Sequence, residues 1–159
     1  FNPIGAHSSR LLGENPLDNP NNLMPIINNV AAGNFKELKI FGSDWETKDG
    51  TCVRDYTHVN DVARAFLSTA YWMFDQNESI TLNVGNSDPV SMKGLVGAVE
   101  NALDTTIDVE VGDARPGDMT KTFADVSQAS TILGWEPTNS IQQIVEDEIK
   151  WQKTKVKRR

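Results

Sequence analysis

Two arginines set among turn residues carry the clearest chemical signal in this sequence: Arg54 within DGTCVRDYTH and Arg115 within DARPGD. A guanidinium is a planar fork whose N–H groups match paired phosphate oxygens, so two forks from separate loops can grip one diphosphate. The same spacing also allows a purely structural reading, in which Arg54 pairs with Asp55 and Arg115 with Asp118. Asn2, His7, Asn21 and Asn22 carry groups that donate and accept together, as sugar hydroxyls require. In loops, however, such residues often do no more than fix a turn. Phe41, beside Lys39, offers a ring for stacking a base or an ordinary core contact. These groups fall largely in three polar, glycine-containing islands, residues 2–9, 49–58 and 115–118. No glycine-rich fingerprint follows an opening strand, and neither a P-loop, a nucleophile elbow nor a nucleophile with a base is legible. Residue chemistry alone therefore describes an α/β domain suited to an anionic ligand.

The elements that must hold these islands are short. Residues 1–22, rich in Asn, Pro, Gly and Ser, read as an ordered loop. Asn21 or Asn22 caps a helix over about 23–33, whose apolar stripe is Leu23, Ile26, Ile27 and Val30, with Pro25 in the first turn and Gly33 at the end. Residues 38–41 alternate as a strand, 43–51 form a polar loop, and 53–58 read as a second extended piece. Asn60 or Asp61 then opens a helix carrying Val62, Ala63, Phe66, Ala70 and Phe74 at helical spacing. Residues 80–84 alternate as a strand ending at Gly85. Ser91 caps a helix to about Leu103, and Ile107, Val109 and Val111 form a further strand, broken at 114–118. Asp125 or Ser127 opens a short helix ending at Gly134. The last helix runs from Ser140 to about Lys155, with Ile141, Ile144, Ile149 and Trp151 inward. The fold class expected is α/β, a small mixed domain of short strands and helices.

The 159 residues suit one domain. Fifteen Lys and Arg stand against 22 Asp and Glu, for a net charge of −7, and six of the basic residues crowd into the last ten positions. An acidic body repels phosphate backbones, so nucleic acid is not an expected partner. The basic end reads as a solvated helix terminus complementing the helix dipole. No apolar run approaches a membrane span, and His7 and His58 stand far apart with no Cys or His cluster around them, so neither a membrane nor a metal is expected. The single Cys52 excludes an internal disulfide, which fits a cytoplasmic placement.

Longer runs now become recognisable. FNPIGAHSS, GENP, PNNLMP and LKIFGSDWETKDGTCVRDYTHVNDVARA resemble the C-terminal half of the UDP-glucose 4-epimerase family, within the extended short-chain dehydrogenases/reductases. LNVGNSDPVS, ARPGDMTKTFADVSQA and LGWEPTNSI match the same family, although ARPGD and LGW also occur in sibling epimerases and dehydratases. The likeness spans nearly the whole chain. It implies a C-terminal, nucleotide-sugar-binding lobe over residues 1–159, without the NAD-binding Rossmann lobe that carries the catalytic Tyr-x-x-x-Lys pair. The implied reaction interconverts UDP-glucose and UDP-galactose through a transient 4-keto sugar with bound NAD, and the lobe alone is expected to be inactive. No catalytic residue is therefore expected within the chain.

Carried across position by position, the resemblance implies a cradle for a UDP-sugar. Asn2 meets the diphosphate or sugar, while Phe1 and Pro3 pass close to the nicotinamide. Asn22 and Leu23 contact the ligand from a helix start. Lys39 and Phe41 lie along the uracil, Arg54 and Arg115 clamp the diphosphate, and Asp118 takes the ribose hydroxyls. Thr122 lines the sugar pocket, and its small side chain implies room for N-acetylated sugars. PNNLMP and the SDWETKDGT segment argue against a UDP-glucuronate epimerase or dTDP-glucose dehydratase; a non-catalytic sugar-nucleotide module is the remaining alternative. A homodimer is implied for the full-length protein. A lobe separated from its partner leaves 59–74 and 80–85 uncovered, so self-association is expected.

Overall fold

The computed structural model describes residues 1–17 and 19–156, with the side chains of 155 and 156 excepted. The basic cluster at 157–159 lies outside the described residues. In chain order the elements are β1 (Asn2–Ile4), α1 (Leu23–Ala31), β2 (Leu38–Phe41), β3 (Val53–Arg54), β4 (Tyr56–His58), α2 (Val59–Gln76), β5 (Val90–Ser91), α3 (Met92–Leu103), β6 (Val109–Gly112), α4 (Ser127–Leu133) and α5 (Ile141–Val156). The strands form three two-stranded pairs: β1 with β4 and β2 with β6 are parallel, and β3 with β5 is antiparallel. This is the small mixed α/β domain expected from the sequence.

Apolar periodicity explains the core. Met24, Ile27 and Val30 of α1, Leu38 and Ile40 of β2, Leu95 and Val99 of α3, and Ile144 and Val145 of α5 are buried together with Ile4 and Tyr56. Because strand side chains alternate, burying Leu38 and Ile40 turns Lys39 and Phe41 to the outer face of β2. Ser91 caps α3 through a bond from the Gly94 amide, and Gly134 closes α4 in the left-handed conformation, as expected.

Four expectations are corrected. Residues 2–4 are a strand rather than loop, because the Asn2 amide reaches the Asp55 carbonyl and continues the pairing with β4. The second extended piece is two strands, broken at Asp55. His58, not Asn60 or Asp61, caps α2: its Nδ1 accepts from the Asn60 amide at 3.0 Å. Residues 80–84 show alternating exposure but belong to no ladder; the amino group of Phe1 donates to the Val84 carbonyl at 3.1 Å. Alternation marks which side of an extended segment is covered, whereas a strand also needs a neighbour for its amides.

Candidate nucleotide site

The site begins with backbone pairing. Val53 donates to the Thr120 carbonyl at 2.9 Å and accepts from the Thr122 amide at 3.1 Å, which fixes residues 120–122 against β3. Just before this stretch, residues 115–118 turn sharply. The Asp118 amide donates to the Arg115 carbonyl at 3.2 Å, Pro116 takes the second position, and Gly117 the third with φ +87°. That is a type II turn, whose third residue must adopt a positive φ that suits glycine.

Both arginines make bonds within residues 115–119. Arg54 Nη1 donates to the carbonyls of Val53 at 2.9 Å and Met119 at 2.7 Å. Arg115 donates to both Asp118 oxygens, at 3.0 and 3.4 Å, and its guanidinium lies 4.3 Å from the centre of the Phe41 ring. The Arg115–Asp118 ion pair anticipated from spacing is thus formed. An Arg54–Asp55 pair is not, because the Asp55 carboxylate turns inward to backbone amides. Arg115 remains 58% exposed, so its ion pair holds it only weakly and leaves it free to reach an anion.

Phe41 and Lys39 share the outer face with their register partners Gly112 and Glu110. Lys39 Nζ lies 3.3 Å from Glu110 Oε2, and a Cβ added at Gly112 would press on the Lys39 Cε and touch Phe41. A glycine there keeps the shelf between the two side chains open. On the other side, the Asn2 amide nitrogen donates to the Asp55 carbonyl at 3.1 Å, beside Arg54. Phe41, Arg115 and Asp118 are thus in direct contact, Lys39 shares the face of Phe41, and Asn2, Arg54 and Thr122 attach to the adjoining backbone at Asp55, Met119 and Val53. The buried Cys52 sits beside Val53: burial pushes its thiol pKa up, and the charge of Arg54 opposes that rise.

Other expected residues stand apart from this group. Asn22 occupies the N-cap of α1 without a side-chain cap bond; its amide donates to Glu14 at 2.6 Å, and Leu23 packs against the core. Phe1 and Pro3 lie exposed at the start of the chain and on β1. A cavity of about 780 Å³ lies between α1, α5 and residues 15–17, 19 and 20, and none of the expected site residues lines it. The arginine group is an open face rather than a closed pocket. Two participants escaped sequence reading: Glu110, whose pairing needs the β2–β6 register, and the Asp55 carboxylate. The expected extended run over 53–58 was the available sign that Arg54 and Asp55, being adjacent, point apart.

Residues 4–148 match the family model described as GDP-mannose 4,6 dehydratase. A UDP-glucose 4-epimerase of Pasteurella multocida is 41% identical over 157 residues, covering 96% of this chain and 45% of its own length. The Bacillus subtilis UDP-glucose 4-epimerase is 38% identical, with 98% and 46% covered. Among solved structures, the UDP-glucose 4-epimerase of Stenotrophomonas maltophila, with bound NAD and formylated UDP-arabinopyranose, superposes with a TM-score of 0.96 at 42% identity. It is matched over 100% of this chain and 47% of its own. The Bifidobacterium longum enzyme, in complex with NAD+ and UDP, gives 0.88 at 36% identity, with 97% and 46% covered. The chain spans less than half the length of these relatives.

Proposed function

From the premise that this chain belongs to the GDP-mannose 4,6-dehydratase family and that its relatives are UDP-glucose 4-epimerases, we propose that it is the nucleotide-sugar-holding half of a UDP-hexose 4-epimerase. The observation that supports this reading is that Arg54 bonds the Met119 carbonyl next to the turn carrying Arg115, whose guanidinium lies over the Phe41 ring. The two guanidinium groups take the diphosphate, Lys39 and Phe41 flank the uracil, Asp118 accepts from the ribose hydroxyls, and Asn2 orients the sugar. Thr122, held against β3, leaves space for an N-acetyl group. Asn22 and Leu23 are assigned a more distant contact from the start of α1. To bind, Arg115 exchanges its bonds to Asp118 for phosphate oxygens, which frees the Asp118 carboxylate for the ribose.

In the intact enzyme NAD supplies the hydride chemistry. The residues present here do not form a dinucleotide site, since no glycine-rich strand–turn–helix occurs in the sequence. Phe1, 47% exposed, and Pro3 offer an edge contact at most. The isolated chain is assigned binding without turnover. UDP-sugar is the partner; the full-length enzyme is assigned a homodimer and a cytoplasmic placement, and the chain alone is assigned self-association. Among the described residues no helix is long and apolar enough to cross a membrane.

Titration of the chain with UDP-glucose, UDP-N-acetylgalactosamine and GDP-mannose, followed by calorimetry or amide NMR shifts, tests the reading. Both UDP-sugars are expected to bind within about fivefold of one another, weakly because half a cleft forgoes contacts on the open side, and GDP-mannose at least tenfold less. Equal binding of GDP-mannose contradicts the uridine assignment, and rejection of the N-acetyl sugar contradicts the role of Thr122.

A further inference from the structure

The ligand groups described above come from separate stretches of chain, and their spacing depends on what joins those stretches. Asp55 does this from the break between β3 and β4. Its carboxylate has no exposed surface, and its described partners are backbone amides: Asn86 to Oδ1 at 2.7 Å, and Ser87 and Ala124 to Oδ2 at 3.1 and 2.9 Å. Its carbonyl meanwhile accepts from both the amide and the side chain of Asn2. Ser87 adopts φ +58°, a left-handed conformation uncommon for a residue with a side chain, within the turn whose two amides meet the carboxylate. The Ser87 hydroxyl adds a bond to the Ala124 carbonyl at 3.1 Å. Gly85 completes the junction: a Cβ there would collide with the Ala124 side chain and lie 2.6 Å from Asp55 Oδ2.

We infer that Asp55 is a positioning residue for the nucleotide site, fixing the Arg54 strand to the segment that carries Asp118 and Thr122 and so setting the spacing of the two guanidinium groups. The inference rests on the nucleotide reading above. The physical reason is leverage. Residues 118–124 are tied to β3 by the two backbone bonds of Val53, to Thr120 and Thr122, and by Arg54 Nη1 on the Met119 carbonyl, and the buried Asp55 carboxylate adds a tie at Ala124. Losing the Asp55 tie frees the 123–124 end and lets the segment turn about its pairing with Val53. Arg54 keeps its charge in that case, while Arg115, on the turn that leads into the segment, shifts relative to it.

Asp61 supplies a matched control. It too is a fully buried carboxylate bonded to backbone amides, but its partners Thr138 and Asn139 lie at the junction of α2 with the start of α5, and it shares none with the arginine group. Asp55→Asn and Asp61→Asn are compared for UDP affinity at a temperature where far-UV circular dichroism shows both folded. The rate at which a thiol reagent modifies Cys52, the sole cysteine and a neighbour of Arg54, is measured in parallel. Asp55→Asn is expected to weaken UDP at least tenfold and to speed Cys52 modification at least tenfold. Asp61→Asn is expected to change either quantity less than twofold. Equal effects of the two substitutions, or no effect of Asp55→Asn, overturn the inference. If Asp55→Asn does not fold, Ser87→Ala removes only the adjacent hydroxyl bond and is expected to weaken UDP about threefold; unchanged affinity counts against the proposal. If the wild-type chain binds no UDP, the nucleotide reading fails, while the Cys52 rates still decide whether Asp55 braces this segment.

Discussion

Asp61 has no exposed surface, and its oxygens accept from Arg64 at 2.8 Å, from the Thr138 amide and hydroxyl, and from the Asn139 amide and side chain. Its carbonyl takes the Trp135 indole N–H at 3.1 Å. Burial by itself would raise the carboxyl pKa, but the bonds from Asn139 and Thr138 outweigh it and hold the group below its usual range. A depressed folded pKa contributes stability above the unfolded value of about 3.9, and that contribution is lost as pH falls through the folded value. Thermal melts are therefore expected to be flat from about pH 7 to 5 and to drop steeply below about pH 4. Asp61→Asn is expected to cost about 2–3 kcal/mol at neutral pH and to shrink, without abolishing, the acid slope, because Asp49 and Asp147 are held low as well. A slope unchanged by the substitution contradicts this. The sequence pattern suggested Asp61 as a helix cap, since an Asp near a helix start commonly serves so. His58 takes that place, and no local pattern announces that Thr138 and Asn139 arrive from 77 and 78 residues away.

At the scale of elements, α1, α3 and α5 were legible because an apolar stripe at helical spacing leaves few alternatives. The two-residue strands β3 and β5 were not, because so short a run carries no period and exists only through its partner. α2 shows a different limit. Its stripe of Ala63, Phe66, Ala70 and Phe74 is real, yet it faces outward: Phe66 is 74% and Phe74 88% exposed, with Leu67 and Tyr71 beside them. Periodicity reveals that a helix has an apolar face, not what covers it. Clustered exposed apolar side chains of this kind favour association with another apolar surface. The chain is expected to sediment as a dimer or larger species at micromolar concentration, and Phe66→Ser with Phe74→Ser to shift it to monomer. A wild-type chain that remains monomeric at high concentration contradicts the expectation.

For the molecule as a whole, three small strand pairs and five described helices bring one turn, one outer strand face and one strand end together. The arginines were visible in the sequence as chemistry, but spacing alone allowed structural ion pairs as well. Family resemblance pointed toward ligand binding, and the fold sets Arg54 on the Met119 carbonyl next to the turn that carries Arg115. The central claim is that Arg54 and Arg115 share a single diphosphate. Its most direct test is UDP affinity across Arg54→Met, Arg115→Met and the double variant, with uridine as the ligand that lacks phosphate. Each single substitution is expected to weaken UDP about tenfold or more, the two effects combining non-additively because both groups grip one ligand, with uridine affinity changed less than about twofold. Either arginine proving dispensable for UDP, or uridine weakening as much as UDP, would contradict it.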